Sequence, residues 1–105
     1  MEKWLVLVET NCKDETREPE FNKWYDTIHI PDVLSCPGHK SAARYILKDA
    51  VGKKGKYLAI YEIETDDIKK TLEASSKDIE SKIAAGRWTD LVEIVSRQIC
   101  KVENF

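Results

Sequence analysis

The stretch KWYDTIHIPDVLSCPGHKSAARY, residues 23–45, contains the helix-to-strand passage that decides the fold. An apolar stripe runs into it at the i, i+3, i+4, i+7, i+8 spacing of one helix face, formed by Phe21, Trp24, Tyr25, Ile28 and His29. Pro19 suits the first position of that helix. Pro31 disfavours helical geometry at the residue before it, so we expect the helix to end or kink just after His29.

A turn at CPG, residues 36–38, is predicted to lead into a strand. Alternation places Ser41, Ala43, Tyr45 and Leu47 on one face of that strand and Lys40, Ala42, Arg44 and Ile46 on the other. The remaining apolar runs of strand character are Lys3–Thr10, Tyr57–Glu64 and Thr89–Val102. The basic block GKKGK, residues 52–56, is interpreted as a solvated hairpin tip.

A second helix is predicted between the third and fourth strands. Thr65 or Asp66 can cap its start, and Gly86 ends it. Its apolar stripe consists of Ile68, Leu72, Ile79 and Ile83.

The element order is therefore β-α-β-β-α-β, a single α+β domain over residues 1–105 with the ferredoxin-like antiparallel arrangement. Two helices cover one face of such a sheet, while the other face is expected to carry apolar residues from every strand. Because an uncovered apolar face of that size usually marks an interface, we predict a homodimer that packs sheet to sheet.

Composition limits the classes of partner. The net charge of −2 argues against nucleic acid as the main partner. No run approaches the roughly 20 apolar residues of a membrane span, and MEKWLVLVE does not resemble a signal peptide, so we expect a cytoplasmic protein. The odd number of cysteines, Cys12, Cys36 and Cys100, favours free thiols. Cys36 and His39 alone supply too few ligands for a metal, so none is predicted.

The first 45 residues also resemble a known family. The motif W-Y-x-x-x-H-x-P, followed by V-L-x-x-P-G, is similar to EthD-type members of the dimeric α+β barrel superfamily; its residues here are Trp24, Tyr25, His29, Pro31, Val33, Leu34, Pro37 and Gly38. That superfamily includes lactone isomerases, sugar mutarotases, polyketide cyclases and decarboxylases, cofactor-free monooxygenases and haem-degrading enzymes. The resemblance implies a fold and a pocket more firmly than a reaction.

His29 is the candidate catalytic residue, with Tyr25 one turn before it as a hydrogen-bonding or proton-transfer partner. An ordinary pKa near 6.5 would suit His29 to acid-base work, and Asp26 or Asp32 could orient its ring. Ser41 and its two following alanines are expected to leave space beneath the helix. The predicted substrate-binding residues are Trp24, Tyr61, Trp88, Arg44 and Ser41.

Two functions remain open from the sequence. The absence of a phosphate loop, a nucleophile elbow and an H-x-x-x-H pair favours cofactor-free acid-base chemistry of an isomerase, lyase, cyclase or monooxygenase. The substrate would be a hydrophobic, oxygen-bearing molecule whose carboxylate or enolate could meet Arg44 or Arg87. The alternatives are a histidine with a purely structural role, and a dimeric protein that binds a hydrophobic metabolite without transforming it.

Overall fold

The computed structural model describes residues 1–48 and 55–104. Four strands, β1 (Glu2–Cys12), β2 (His39–Ile46), β3 (Tyr57–Thr65) and β4 (Val92–Lys101), form one antiparallel sheet in the order β2-β3-β1-β4. This is the predicted ferredoxin-like α+β fold. Residues 52–54 of the predicted hairpin tip lie outside the described residues, and Lys56 forms an ion pair with Glu18.

The N-terminal helix runs through Pro31 instead of ending before it. It comprises α1 (Glu18–Trp24), a π-helical turn (Tyr25–His29) and α2 (Ile30–Leu34). Proline has no N–H and its ring crowds the carbonyl four residues earlier, so the helix widens before Pro31. The widening is seen where the Ile30 N–H donates to the Tyr25 carbonyl, five residues back.

The second long helix, α3 (Ile68–Ala84), is capped by Asp67, whose side chain accepts from the Lys70 N–H at 3.1 Å. The predicted cap residues were therefore wrong. Thr65 instead accepts from the Asp67 N–H at 3.1 Å, which places the capping carboxylate two residues further along. After the helix, Gly86 adopts a φ of 81°, as the sequence predicts for a glycine that ends a helix.

The helices cover one face of the sheet, and the core lies between them. Two buried aromatic side chains of the N-terminal helix, Phe21 and Tyr25, pack there against Tyr57, Tyr61 and Ile63 of β3. Two bulges adjust the sheet around this core. One lies at Lys40, between His39 and Ser41, and the other at Val95, opposite the step from Glu9 to Thr10.

The opposite face has no cover among the described residues. It presents apolar side chains from three strands, namely Leu5, Leu7, Ala43, Tyr45, Leu58 and Ile60. On the same face, β4 contributes Ser96, Gln98 and Cys100, so this strand adds only one apolar residue, the cysteine. No described helix is long and apolar enough to cross a membrane.

Candidate functional site

A cavity of about 330 Å³ opens between the helices and the covered face of the sheet. That volume falls at the lower end of the range of about 300–1,000 Å³ that is typical of small-molecule sites. Side chains of β1, β4 and both long helices form its walls, including Val6, Val8, Val33, Leu72, Ile79 and Val92. The walls are therefore largely apolar.

An aromatic cluster around His29 forms one wall. The imidazole stacks on Trp24, with ring centroids 5.0 Å apart and planes 13° apart. Tyr25 and Trp88 meet the same ring edge-on, at centroid distances of 5.1 and 5.4 Å. Trp24 is fixed in turn by its indole N–H, which donates to the Arg87 carbonyl at 3.0 Å. Trp24, Tyr25, His29 and Trp88 are thus brought together as cavity-lining residues.

The electrostatics of His29 differ from the expectation. Burial lowers the pKa of its imidazole from 6.5 to about 4, an effect that Arg44 reinforces and that Asp32 only partly opposes. The ring is therefore neutral at physiological pH and does not titrate near it. Neither ring nitrogen has a hydrogen-bond partner among residues 1–48 and 55–104. His29 consequently presents a neutral imidazole that is free to accept a proton or a hydrogen bond.

The two carboxylates considered for orienting His29 are engaged elsewhere. Both oxygens of Asp32 accept from the Arg87 guanidinium, at 2.8 and 2.9 Å, and this hydrogen bonding holds the pKa of Asp32 below its usual value. Asp26 accepts from Arg44 at 3.0 Å. Packing against aromatic rings, rather than a carboxylate, therefore orients the imidazole. Arg87 is engaged in the ion pair with Asp32.

Two of the predicted substrate-binding residues lie outside the cavity. The Arg44 guanidinium lies over the Tyr25 ring, 4.2 Å from its centroid, and binds Asp26 and Asn22. Ser41 lies on the uncovered face of the sheet, because the bulge at Lys40 and the alternation of β2 turn Ala42 and Arg44 toward the helices. The space above the sheet thus lies mainly over β1 and β4, with Tyr61 of β3 at its side, and not beneath the small residues of β2.

Hydroxyl groups lie on the sheet side of the cavity. Tyr61, 4% exposed, and Thr10, 1% exposed, both line it, as does Tyr25. Burial raises the pKa of both tyrosines. The nearby Tyr25 hydroxyl raises the pKa of Tyr61 further, whereas the Tyr61 hydroxyl partly lowers the pKa of Tyr25. Despite this proximity, the Tyr61 hydroxyl makes no hydrogen bond of standard geometry with any described residue. At neutral pH these phenols stay protonated and can donate.

The cavity is also lined by residues that the sequence did not indicate as site residues, among them Thr10, Cys36, His39, Glu80 and Arg97. Thr10 follows Val6 and Val8 at the period of two of a strand, so a polar residue at a core-facing position was the available signal. His39 Nδ1 lies 3.0 Å from the Pro37 carbonyl. A carbonyl can only accept, so Nδ1 carries a proton and donates to it.

Cys36 lines the cavity beside a polar cluster that joins α2 to α3. Its thiol lies 3.2 Å from an Asp78 oxygen, and burial raises the pKa of the thiol to about 11, so it remains protonated. All three cysteines are free. Within residues 1–48 and 55–104, no group of three or more His, Cys, Asp or Glu side chains could hold a metal ion.

Solved structures with this architecture cover nearly the whole chain. HapK from Hahella chejuensis is 12% identical over 97% of this chain and 92% of its own, with a TM-score of 0.66. A candidate monooxygenase from Shewanella loihica PV-4 is 11% identical over 100% and 99%, with a TM-score of 0.60. An EthD family protein from Bacillus halodurans C-125 is 17% identical over the full length of both chains, with a TM-score of 0.57.

No protein-family model matches the sequence, and no curated protein does. At identities this low, likeness to solved structures shows the fold alone, and another matched structure, a DABB family protein from Mesorhizobium loti, is described as having a ferredoxin-like fold.

Proposed function

We propose that this chain is an EthD-like enzyme that performs acid-base chemistry without a cofactor on a hydrophobic, oxygen-bearing organic molecule. The observation that carries the proposal is His29. Its neutral imidazole has no hydrogen-bond partner among the described residues and lies on the wall of an apolar cavity of small-molecule size. The reaction would be of the isomerase, lyase, cyclase or monooxygenase kind.

In the proposed chemistry, His29 removes a proton from the substrate. The resulting imidazolium is unfavourable in this environment, as the pKa of about 4 indicates, so the proton is returned readily to the substrate or to water. Such a weak base removes only a proton that is already acidic, as in a phenol or a carbon flanked by activating groups. Tyr25, whose raised pKa keeps it protonated, donates a hydrogen bond to the oxygen on which negative charge develops.

A second function is favoured by a specific observation. General bases are usually oriented by a third group, and His29 has no hydrogen-bonded carboxylate or carbonyl among the described residues to do this. A protein that only binds a hydrophobic metabolite needs the aromatic walls and no oriented base. The binding protein is therefore the alternative.

Partners and location follow the same proposal. We propose a cytoplasmic homodimer that closes through the uncovered face of the sheet, with neither nucleic acid nor membrane as a partner. The apolar side chains that β1, β2 and β3 present on that face support the dimer.

Proton exchange in heavy water tests the proposal. 2-Tetralone is a suitable probe, since it is a bicyclic ketone with an acidic C–H between its carbonyl and its aromatic ring. We expect the protein to accelerate deuterium uptake at that carbon, followed by NMR, and His29→Gln to abolish the acceleration. Tyr25→Phe should reduce it less, because the ring remains. His39→Gln, which removes the other imidazole of the cavity, should retain it.

Two results would contradict the proposed chemistry. Binding of 2-tetralone without accelerated exchange would favour the binding protein, and exchange that survives His29→Gln would exclude His29 as the base.

A further inference from the structure

The Tyr61 hydroxyl is a buried polar group that forms no hydrogen bond of standard geometry with any described residue. Tyr61 lies near the middle of β3, paired with Val6 of β1 and Ala42 of β2, and its side chain lines the cavity. Only 4% of the residue is exposed, and its hydroxyl has no hydrogen-bond partner among the described residues. Leaving such a group unpaired costs stability, and native structures do so rarely.

Tyr57 shows how this fold satisfies the same group elsewhere. It lies four residues earlier on the same strand and faces the helices too. Its hydroxyl, however, receives a hydrogen bond from the Asn22 side-chain amide at 3.3 Å, and it is not part of the cavity wall. A phenylalanine at position 61 would fill the same space without an unpaired hydroxyl. The hydroxyl of Tyr61 is therefore explained best by a partner that enters the cavity.

We infer that the Tyr61 hydroxyl donates a hydrogen bond to a carbonyl oxygen of the ligand, with the Tyr25 hydroxyl as a second donor to the same oxygen. The inference deepens the proposed function and rests on its premise that the cavity holds a small molecule. It identifies the ligand as an uncharged carbonyl compound, such as a ketone or a lactone, and it places the carbonyl end of that ligand against the sheet.

The surrounding charges favour a carbonyl over a carboxylate at this position. Burial raises the pKa of Tyr61, so the phenol stays protonated and acts as a donor. Arg44, the cation nearest the tyrosine rings, is paired with Asp26 and stacked on Tyr25, and only its Nε has no hydrogen-bond partner among the described residues. Arg97 also lines the cavity, but it is an exposed residue of the edge strand β4. A carboxylate beside Tyr61 would therefore be desolvated without a dedicated cation, which is costly, whereas a carbonyl needs only donors.

The experiment compares 2-tetralone with tetralin, which has the same two rings and no oxygen. Calorimetric titration of both compounds gives a ratio of affinities in which the contribution of the apolar walls largely cancels. We expect the wild-type protein to prefer the ketone about tenfold, the scale of one or two hydrogen bonds. Tyr61→Phe should remove most of that preference while leaving the affinity for tetralin within about twofold. Tyr57→Phe is the matched control and should keep the preference.

Two further readouts separate a binding role from a structural one. The carbonyl stretching band of bound 2-tetralone should lie at lower frequency in the wild type than in Tyr61→Phe. Without ligand, Tyr61→Phe should unfold at the same or a higher temperature than the wild type, whereas Tyr57→Phe should unfold at a lower one.

An unchanged preference and an unchanged carbonyl band in Tyr61→Phe would overturn the inference. That result would leave His29-dependent exchange intact, so it is distinct from failure of the proposed function. Conversely, exchange that does not depend on His29 would exclude His29 as the base without affecting a Tyr61-dependent carbonyl shift. A wild-type protein that binds neither compound would overturn both.

Discussion

His29 occupies a stripe position that an apolar residue would fill more simply. The structure surrounds its ring with three aromatic side chains, one stacked and two edge-on. Such pairs contribute about 0.5–1.5 kcal/mol each beyond their buried area. Removing the ring therefore costs some stability, and His29→Ala mixes that loss with any loss of function. Substitutions that keep the volume, such as His29→Gln or His29→Leu, are the more informative ones.

The buried imidazole should make stability depend on pH. The folded-state pKa of about 4 lies below the unfolded value of 6.5, so the unfolded chain takes up the proton first as the pH falls. The free energy of unfolding should therefore be fully retained above pH 6.5 and decrease between about pH 6.5 and pH 4. We expect a total loss of about 2 kcal/mol from this residue, after allowing for the part of the ring that solvent reaches.

Urea unfolding at pH 7, 6 and 5 measures that dependence, in a range where most carboxylates remain ionised. His29→Leu should flatten it and should be at least as stable as the wild type at pH 5. His39→Gln leaves His29 in place and should keep the slope. A wild-type stability that is constant from pH 7 to pH 5 would show that water reaches the His29 ring freely.

At the level of elements, the π-helical turn places the two candidate catalytic side chains. Tyr25 and His29 are its first and last residues. Turns of this kind are frequent at functional sites. Periodicity predicts which residues share the stripe, but a stripe of regular α-helical spacing contains no sign of the extra width. The sequence therefore predicted that the helix ends or kinks just after His29, whereas the helix continues through Pro31 because the preceding turn is wider.

Pro31→Ala tests whether the proline maintains that turn. Alanine restores an N–H that can donate to the carbonyl four residues back, so residues 25–31 should relax toward a regular α-helix. We expect the free energy of unfolding to stay equal or rise by up to about 1 kcal/mol, while 2-tetralone binds at least threefold more weakly because His29 has moved. Denaturant titration and calorimetry measure the two effects.

Pro19→Ala is the matched control. Pro19 lies in the first turn of α1, where a missing N–H is harmless, so this variant should bind normally. Normal binding by Pro31→Ala would show that the turn is held by the packing of Tyr25 and Trp24 instead.

The start of α3 gives a second test at this level. Asp67→Ala removes the carboxylate that accepts the Lys70 N–H, and should lower the free energy of unfolding by about 1 kcal/mol. Asp66→Ala removes the neighbouring carboxylate, whose side chain is exposed and whose nearest charge is the N-terminus at 3.9 Å. We expect a change within about 0.5 kcal/mol for that variant. Equal losses from the two substitutions would mean that either carboxylate can cap the helix.

For the whole molecule, the element order and the aromatic stripe were enough to predict the fold. Of the seven candidate site residues, five line the cavity: Trp24, Tyr25, His29, Tyr61 and Trp88. Ser41 and Arg44 were misplaced for different reasons. The bulge at Lys40 and the alternation of β2 keep Ser41 on the uncovered face, and Arg44 is drawn to Asp26, Asn22 and the Tyr25 ring. Such competition among side chains depends on three-dimensional packing, which periodicity does not contain.

The uncovered face of the sheet gives the last prediction, which concerns assembly. Leu7 lies near its centre, on β1, one of the two inner strands, opposite Ile60 of β3 and Gln98 of β4. If two copies pack through this face, Leu7→Lys places a charge against the two-fold axis, where desolvation and like-charge repulsion both oppose association. Light scattering at micromolar concentration should give twice the chain mass of 12.1 kDa for the wild type and a single chain mass for Leu7→Lys.

Ala74→Lys adds the same charge on the exposed surface of α3 and should remain dimeric. A monomeric wild type would mean that the polar side chains on this face, Ser96, Gln98 and Glu62, make it polar enough to remain in water.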